Sequence, residues 1–279
     1  MHLMNVAKEM ASIYKRNEKV KAVLLAGSVS RGWQDKHSDI ELHIFWQEAP
    51  TDSERMSPIH VVNGNVLDFY PYEEEEWSET YLTHNIKLEI SNFLVTTIET
   101  YIEDVVLHHE TNYDKQCILA SIFYGHSLYG NELILDLKKK IEKYPSELAE
   151  KMILENLELG SRWNNRRALE DREDWLMLMD VICSTQKNLL GILFGLNQKY
   201  VHHPAFKWMH QTISSMEIKP NDLDKRLTSI LVDNIQNSVA ELELLLDEIL
   251  TLVDVHYPHI EIKKYKEKNA FLRPENSAE

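Results

Sequence analysis

The stretch that decides the fold is Ala22-Val23-Leu24-Leu25-Ala26-Gly27-Ser28-Val29-Ser30-Arg31, followed shortly by Ser38-Asp39-Ile40-Glu41-Leu42-His43-Ile44-Phe45-Trp46. Residues 20–26, with 22–26 as an unbroken apolar run that stops at a glycine, read as a short buried strand. Gly27 tolerates close approach of the backbone to a ligand, and Ser28 opens the next turn with a hydroxyl and backbone N–H groups suited to an anion. Residues 39–46 alternate polar and apolar, so Asp39, Glu41 and His43 share one face of a second strand. Two carboxylates confined together resist joint ionisation unless a cation lies between them. Hard oxygen ligands of this kind suit Mg2+ held jointly with nucleotide phosphates. Gly-Ser alone, or Asp-x-Glu alone, is commonplace; the two together between apolar strands select the phosphate-and-metal reading.

Working outward, the polar segment from Pro50 to Pro58 reads as a turn, and 59–70 as a hairpin about Asn63-Gly64-Asn65. Asp68 falls on its second strand. It is either a third carboxylate of the same pocket, if that strand runs beside 39–46, or an exposed strand acid. From Trp77 the apolar positions Leu82, Ile86, Ile90, Leu94 and Ile98 read as helical, and a further helix follows Gly130-Asn131. Beyond Pro145 the pattern is helical over roughly 146–168, 172–198, 205–216 and 222–254, and from about Glu261 a Lys- and Glu-rich tail has few apolar anchors. The fold class expected is α+β: a mixed sheet with flanking helices over 1–144, then an all-α helical bundle over 145–279.

The 279 residues suffice for two domains with real cores. The N-terminal residues read as an amphipathic helix rather than a leader, and no run is expected to reach the length of a membrane span. Cys117 and Cys183 read as reduced core thiols, which points to the cytoplasm. A formal net charge of −15 argues against a broad nucleic-acid surface, because phosphate backbones are gripped by clustered Lys and Arg. It suits a cationic small molecule instead, and the run Glu73 to Glu76 offers acidic groups for one, unless it is simply a solvated loop. His43 reads as a structural histidine beside the acids. Pro204 breaks the helical register that His202, His203 and His210 would need for zinc.

On the helix expected after Pro145, Glu155, Glu158 and Arg162 fall at steps of three and four and line one stripe. Such a pair is usually a surface ion pair, but Glu158 could also accept a hydroxyl proton while Arg162 holds phosphates.

Gly27-Ser28-Val29-Ser30-Arg31 with Ser38-Asp39-Ile40-Glu41 resembles the motif of the polymerase-beta-like nucleotidyltransferases, most closely those of the kanamycin nucleotidyltransferase type. The segment Glu155-Asn156-Leu157-Glu158-Leu159-Gly160-Ser161-Arg162-Trp163-Asn164 is similar to a helix of their second domain, with Arg162 where that family has lysine. The resemblance implies that Gly27, Ser28 and Arg31 contact the triphosphate of ATP or another NTP. It implies that Asp39 and Glu41 hold Mg2+, that Glu158 is the general base, and that Arg162 contacts phosphate. It further implies transfer of a nucleoside monophosphate, AMP first among them, to a hydroxyl of an aminoglycoside-like acceptor, and a homodimer. Alternatives are a relative that modifies a protein or tRNA, or a silent nucleotide sensor.

Overall fold

The computed structural model describes residues 2–233 and 235–274. The chain divides into two compact units, Met1–Lys143 and Tyr144–Glu279. The first is α+β and the second helical, the class that the alternation of patterns implies.

In chain order the first unit contains α1 (His2–Tyr14), β1 (Val20–Leu25), α2 (Gly27–Arg31), β2 (Ile40–Trp46), α3 (Asp52–Val61) and β3 (Asn65–Phe69). It continues through β4 (Trp77–Thr83), β5 (Ile86–Leu94), α4 (Val95–Val106), α5 (Tyr113–Tyr124), β6 (His126–Tyr129) and α6 (Asn131–Ile141). The six strands lie in the order β3-β4-β5-β2-β1-β6. Only β2 and β5 run parallel; the other neighbours are antiparallel. Period-two alternation sorts β2 into two faces. Ile40, Leu42, Ile44 and Trp46 join Val6, Met10 and Tyr14 of α1 and Ile59 of α3 in one core. Glu41, His43 and Phe45 therefore occupy the opposite face.

Beneath the first face lies a buried polar chain. The Trp46 indole donates to Asn92 Oδ1 at 2.9 Å, and the Asn92 amide donates to both Glu79 oxygens at 2.9 and 3.0 Å. Arg55, fully buried, pairs with Glu79 at 2.8 Å and stacks on Phe69 at 3.9 Å. One residue each from β2, β5, β4 and α3 is thereby tied together, and β3 is added through the ring of Phe69.

Several local expectations are corrected. The segment 50–58 is not a turn: Thr51 and Glu54 form a reciprocal capping box that starts α3, and Pro58 lies buried inside that helix. Residues 59–61 complete α3, so no hairpin forms about Asn63-Gly64-Asn65. The hairpin is instead β4–β5, turning at His84 and Asn85, whose φ values of 52° and 60° suit a primed turn. The helical reading of 82, 86, 90 and 94 fails for a simple reason. Steps of four are also even, so Ile86, Ile90 and Leu94 fit one face of β5, while Leu82 lies on β4 opposite Lys87 and is exposed.

The second unit comprises α7 (Ser146–Asn156), a 3-10 turn (Trp163–Asn165), α8 (Arg166–Asp171), α9 (Trp175–Leu196), α10 (Met209–Ser214), α11 (Leu223–Val232), α12 (Ile235–His256) and α13 (Ile262–Ala270). The continuous helix expected over 146–168 is broken. α7 ends at Asn156, the chain turns through Gly160 at φ 77°, and a 3-10 turn follows that buries Trp163 to 1% exposure. The tail expected to be loose supplies the clamp: the Trp163 indole donates to the Asn269 carbonyl at 2.9 Å, and the Asn269 amide donates to the Leu157 carbonyl at 3.3 Å. Ile262 and Tyr265 are buried beside it, while residues 275–279 lie outside the described residues. α9 corrects the membrane expectation by length and composition, since its 22 residues could span a bilayer. With 56% of its apolar window buried, it fits equally the core helix of its own unit.

Breaking the buried chain on one side leaves an uncompensated charge. Arg55→Ala is expected to lower unfolding free energy by about 3–5 kcal/mol in denaturant titration, and an apolar pair at 55 and 79 to recover part of the loss. Loss below about 1 kcal/mol for Arg55→Ala would show that the chain is not holding the sheet.

Candidate active site

β1 ends at Leu25 and the chain turns immediately at Gly27, whose φ of 62° lies in the left-handed region. Space imposes the same choice, because a Cβ at Gly27 would run into the Glu41 carboxylate. The Ala26 N–H donates to the Glu41 carbonyl at 2.9 Å, so the Gly-Ser turn and the acidic strand are fastened at this rung. Within α2 the Ser30 hydroxyl donates to the Gly27 carbonyl at 2.9 Å, and Gly32 ends the helix at φ 68°. Arg31, on this short helix, stacks on Tyr124 and Trp33 and interacts electrostatically with Glu41.

The turn ahead of β2 is shaped by Asp35. Its carboxylate accepts the His37 N–H at 2.8 Å, and its own N–H donates to the Ser38 hydroxyl at 2.9 Å. Asp39 follows at once, and Glu41 comes two residues later on the same face. The parallel partner strand then adds an acid that the sequence reading missed: Glu89 of β5 is the cross-strand partner of Glu41. Ligand oxygens of Asp39, Glu41 and Glu89 lie within 4.8 Å of one another. Lys87, two residues before Glu89, holds its ammonium 3.5 Å from Asp39 Oδ2 and in contact with Glu89 Oε1. A lysine drawn between carboxylates shows that the cluster favours a cation. Hard oxygen donors at this spacing fit Mg2+, with Asp39, Glu41 and Glu89 as the residues that would hold it.

Asp68 is not among them. It lies on β3, and β4 and β5 separate that strand from β2. At roughly 4.8 Å per strand this places it three strand spacings away. The condition for its inclusion, a strand beside 39–46, is met by β5 instead. Only the β4–β5 hairpin, hidden under an apparently helical pattern, could have revealed Glu89.

His43 is 7% exposed, stands opposite Ser91 of β5, and lies edge-on to Phe93 at 5.6 Å. Among the described residues neither ring nitrogen has a hydrogen-bond partner. Burial pushes its pKa down to about 4, so it is neutral at pH 7. A satisfied structural histidine was the expectation; the imidazole is buried but unsatisfied.

Beyond His43 the same face borders a cavity of about 520 Å³, lined by Glu74, Glu75, Glu76, Phe93, Tyr101 and Asp114 among others. Cys117 also lines it, and Phe93 of its lining stands on β5 four residues beyond Glu89, on the same face of the sheet. Burial pushes the Cys117 thiol up to about 12, making it an inert thiol rather than a nucleophile. Burial likewise raises the Glu76 carboxyl to about 7; neighbouring Glu74 and Glu73 add to the rise and a hydrogen bond with Ser91 opposes it.

In the second unit the shared helical stripe does not form. Glu155 is on α7, while Glu158 and Arg162 lie beyond its end on either side of Gly160. Glu158 contacts the Lys268 ammonium of α13, and Arg162 pairs with Asp180 of α9 at 2.8 Å. Both side chains are about half exposed or more, so either partner is exchangeable at little cost.

Two outcomes are expected. Added Mg2+ raises the melting temperature, by the equivalent of about 3 kcal/mol at a hundredfold excess over its dissociation constant. Asp39→Asn and Glu89→Gln abolish this rise, whereas Asp68→Asn leaves it intact; the reverse pattern would restore Asp68 to the site. For His43, the folded protein resists protonation down to about 4 while the unfolded chain takes up the proton near 6.5. Its contribution is fully present above about pH 6.5 and is lost as pH falls toward 4, on the order of 3 kcal/mol in all. His43→Leu is expected to flatten that part of the stability profile in denaturant titrations at stepped pH.

Comparison with known proteins gives three results. Residues 111–209 match a family described as a domain of unknown function, DUF4037. No curated protein matches the chain. Among solved structures it is similar to a nucleotidyltransferase-like protein from Exiguobacterium sibiricum 255-15, at 13% identity over 93% of this chain and 80% of that one, with a TM-score of 0.41.

Proposed function

We propose that this protein is a Mg2+-dependent nucleotidyltransferase that passes a nucleoside monophosphate, AMP first among them, from an NTP to a hydroxyl of a small cationic acceptor. The observation that carries the proposal is the meeting of Gly27 with Glu41, inside a three-carboxylate cluster completed by Asp39 and Glu89. A glycine turn after a buried strand, abutting hard oxygen ligands, suits a triphosphate at one edge of a cation.

In this reading Gly27 and Ser28 accommodate the phosphates and Arg31 pairs with them. Asp39, Glu41 and Glu89 would hold Mg2+, which when bound would neutralise charge on the phosphates and favour departure of pyrophosphate. Lys87 then exchanges its carboxylate partners for the substrate's anionic oxygens. The acceptor oxygen attacks the α-phosphorus, the bond between that phosphorus and the bridging oxygen to the β-phosphorus breaks, and pyrophosphate leaves. Glu158 is proposed to take the acceptor proton and Arg162 to contact phosphate, each giving up one exposed ion pair.

The cavity beside the cluster supports a cationic acceptor. Glu74, Glu75, Glu76 and Asp114 line it against a single Lys115, while Phe93 and Tyr101 offer apolar and π faces to the body of an aminated ring. Lys115 is itself engaged by Asp104 and Glu110, each at 2.7 Å.

Pyrophosphate release from each NTP with Mg2+, over a panel of aminoglycosides and lincosamides, tests the proposal. Release with one acceptor is expected, abolished in Asp39→Asn and reduced on the order of a hundredfold or more in Glu158→Gln. Binding of Mg-nucleotide with no release across the panel would favour a nucleotide sensor, and full activity in Glu158→Gln would remove that residue as the base.

A further inference from the structure

We propose that Tyr124, assisted by Trp33, is a positioning residue for Arg31: the two rings hold the guanidinium by its faces and leave its N–H edge for the anionic part of the substrate. The inference rests on the reading of Arg31 as a phosphate contact. The Arg31 guanidinium carbon lies 4.0 Å from the centroid of the Tyr124 ring and 4.9 Å from that of Trp33. Among the described residues Arg31 makes no ion pair, although it is partly buried and interacts electrostatically with Glu41.

The mode of restraint matters. A carboxylate partner would consume the N–H donors that match a phosphate, whereas an aromatic ring attracts the π face and leaves the donors in the plane untouched. An unrestrained arginine also loses rotamer freedom when it is fixed on a ligand, and a pre-formed stack removes part of that loss.

The backbone explains how Tyr124 reaches this place. It is the last residue of α5, and Gly125 follows where a Cβ would collide with the Ser121 carbonyl and the Leu24 side chain of β1. The next residue, His126, is the register partner of Leu25. The end of α5 is therefore pinned to the end of β1 from which Gly27 and α2 depart. Phe123 meets the Tyr124 ring in a T-shaped contact at 4.9 Å.

The test uses inorganic tripolyphosphate and Mg-ATP as separate probes, titrated calorimetrically against the full chain. Tyr124→Leu is expected to weaken tripolyphosphate binding about tenfold, and Tyr124→Phe, which keeps the ring, to retain the affinity. In an Arg31→Ala background, Tyr124→Leu is expected to add nothing, because the ring then has no guanidinium to hold. Unchanged affinity in Tyr124→Leu overturns the assignment. So does a loss of the same size in the Arg31→Ala background, which marks a merely structural ring, and so does failure of the unsubstituted protein to bind tripolyphosphate. Tripolyphosphate binding that follows the expected pattern, with no binding of Mg-ATP, upholds the stack and removes nucleotidyl transfer.

Discussion

The polar chain from Trp46 through Asn92 and Glu79 to Arg55 is the constraint on which the first unit depends. Each member is essentially inaccessible to water, and a buried hydrogen-bonding group without its partner costs more than the bond itself contributes. The chain can be satisfied only when β2, β5, β4 and α3 hold one particular mutual arrangement. Hydrophobic burial in the same core is tolerant of small shifts; this set of bonds is not.

The consequence appears on the other face of the sheet. Parallel pairing sets Ile44 opposite Asn92, and the same register, three residues back along each strand, sets Glu41 opposite Glu89. A slip of one residue would turn Glu89 into the apolar core and bring an aliphatic side chain to the acid cluster. The buried network on one face thus specifies which carboxylates meet on the other. Repulsion among those carboxylates is offset by the Lys87 ammonium, which reaches both Asp39 and Glu89.

The second unit shows how little helical spacing says about side-chain grouping once a glycine intervenes. Glu155, Glu158 and Arg162 would share a stripe on an unbroken helix, but the helix ends at Asn156 and the chain then passes through Gly160 to bury Trp163 against α13. The lysine-rich tail that looked unanchored contributes the carbonyl and amide that satisfy the break. Of its apolar residues, Ile262 and Tyr265 are buried, while Phe271 and Leu272 remain exposed.

Much of the site was legible from residues alone. An apolar run ending in Gly-Ser, then an alternating strand opening on Asp-x-Glu, depends on local chemistry and period-two geometry, and the structure keeps Gly27, Asp39 and Glu41 together. Glu89 and the exclusion of Asp68 were not legible, because strand order is a long-range property and the β4–β5 hairpin carries a spacing that also fits a helix. The Tyr124 stack was hidden for the same reason, since it joins residues far apart in sequence through the pairing of β1 with β6. Sequence by itself determined the α+β class, the glycine turn and the first two acids, because each rests on interactions within a few residues. Tertiary structure decided the third acid, the break after α7 and the seat of Arg31, because each is settled by which distant segments bury their polar groups against one another.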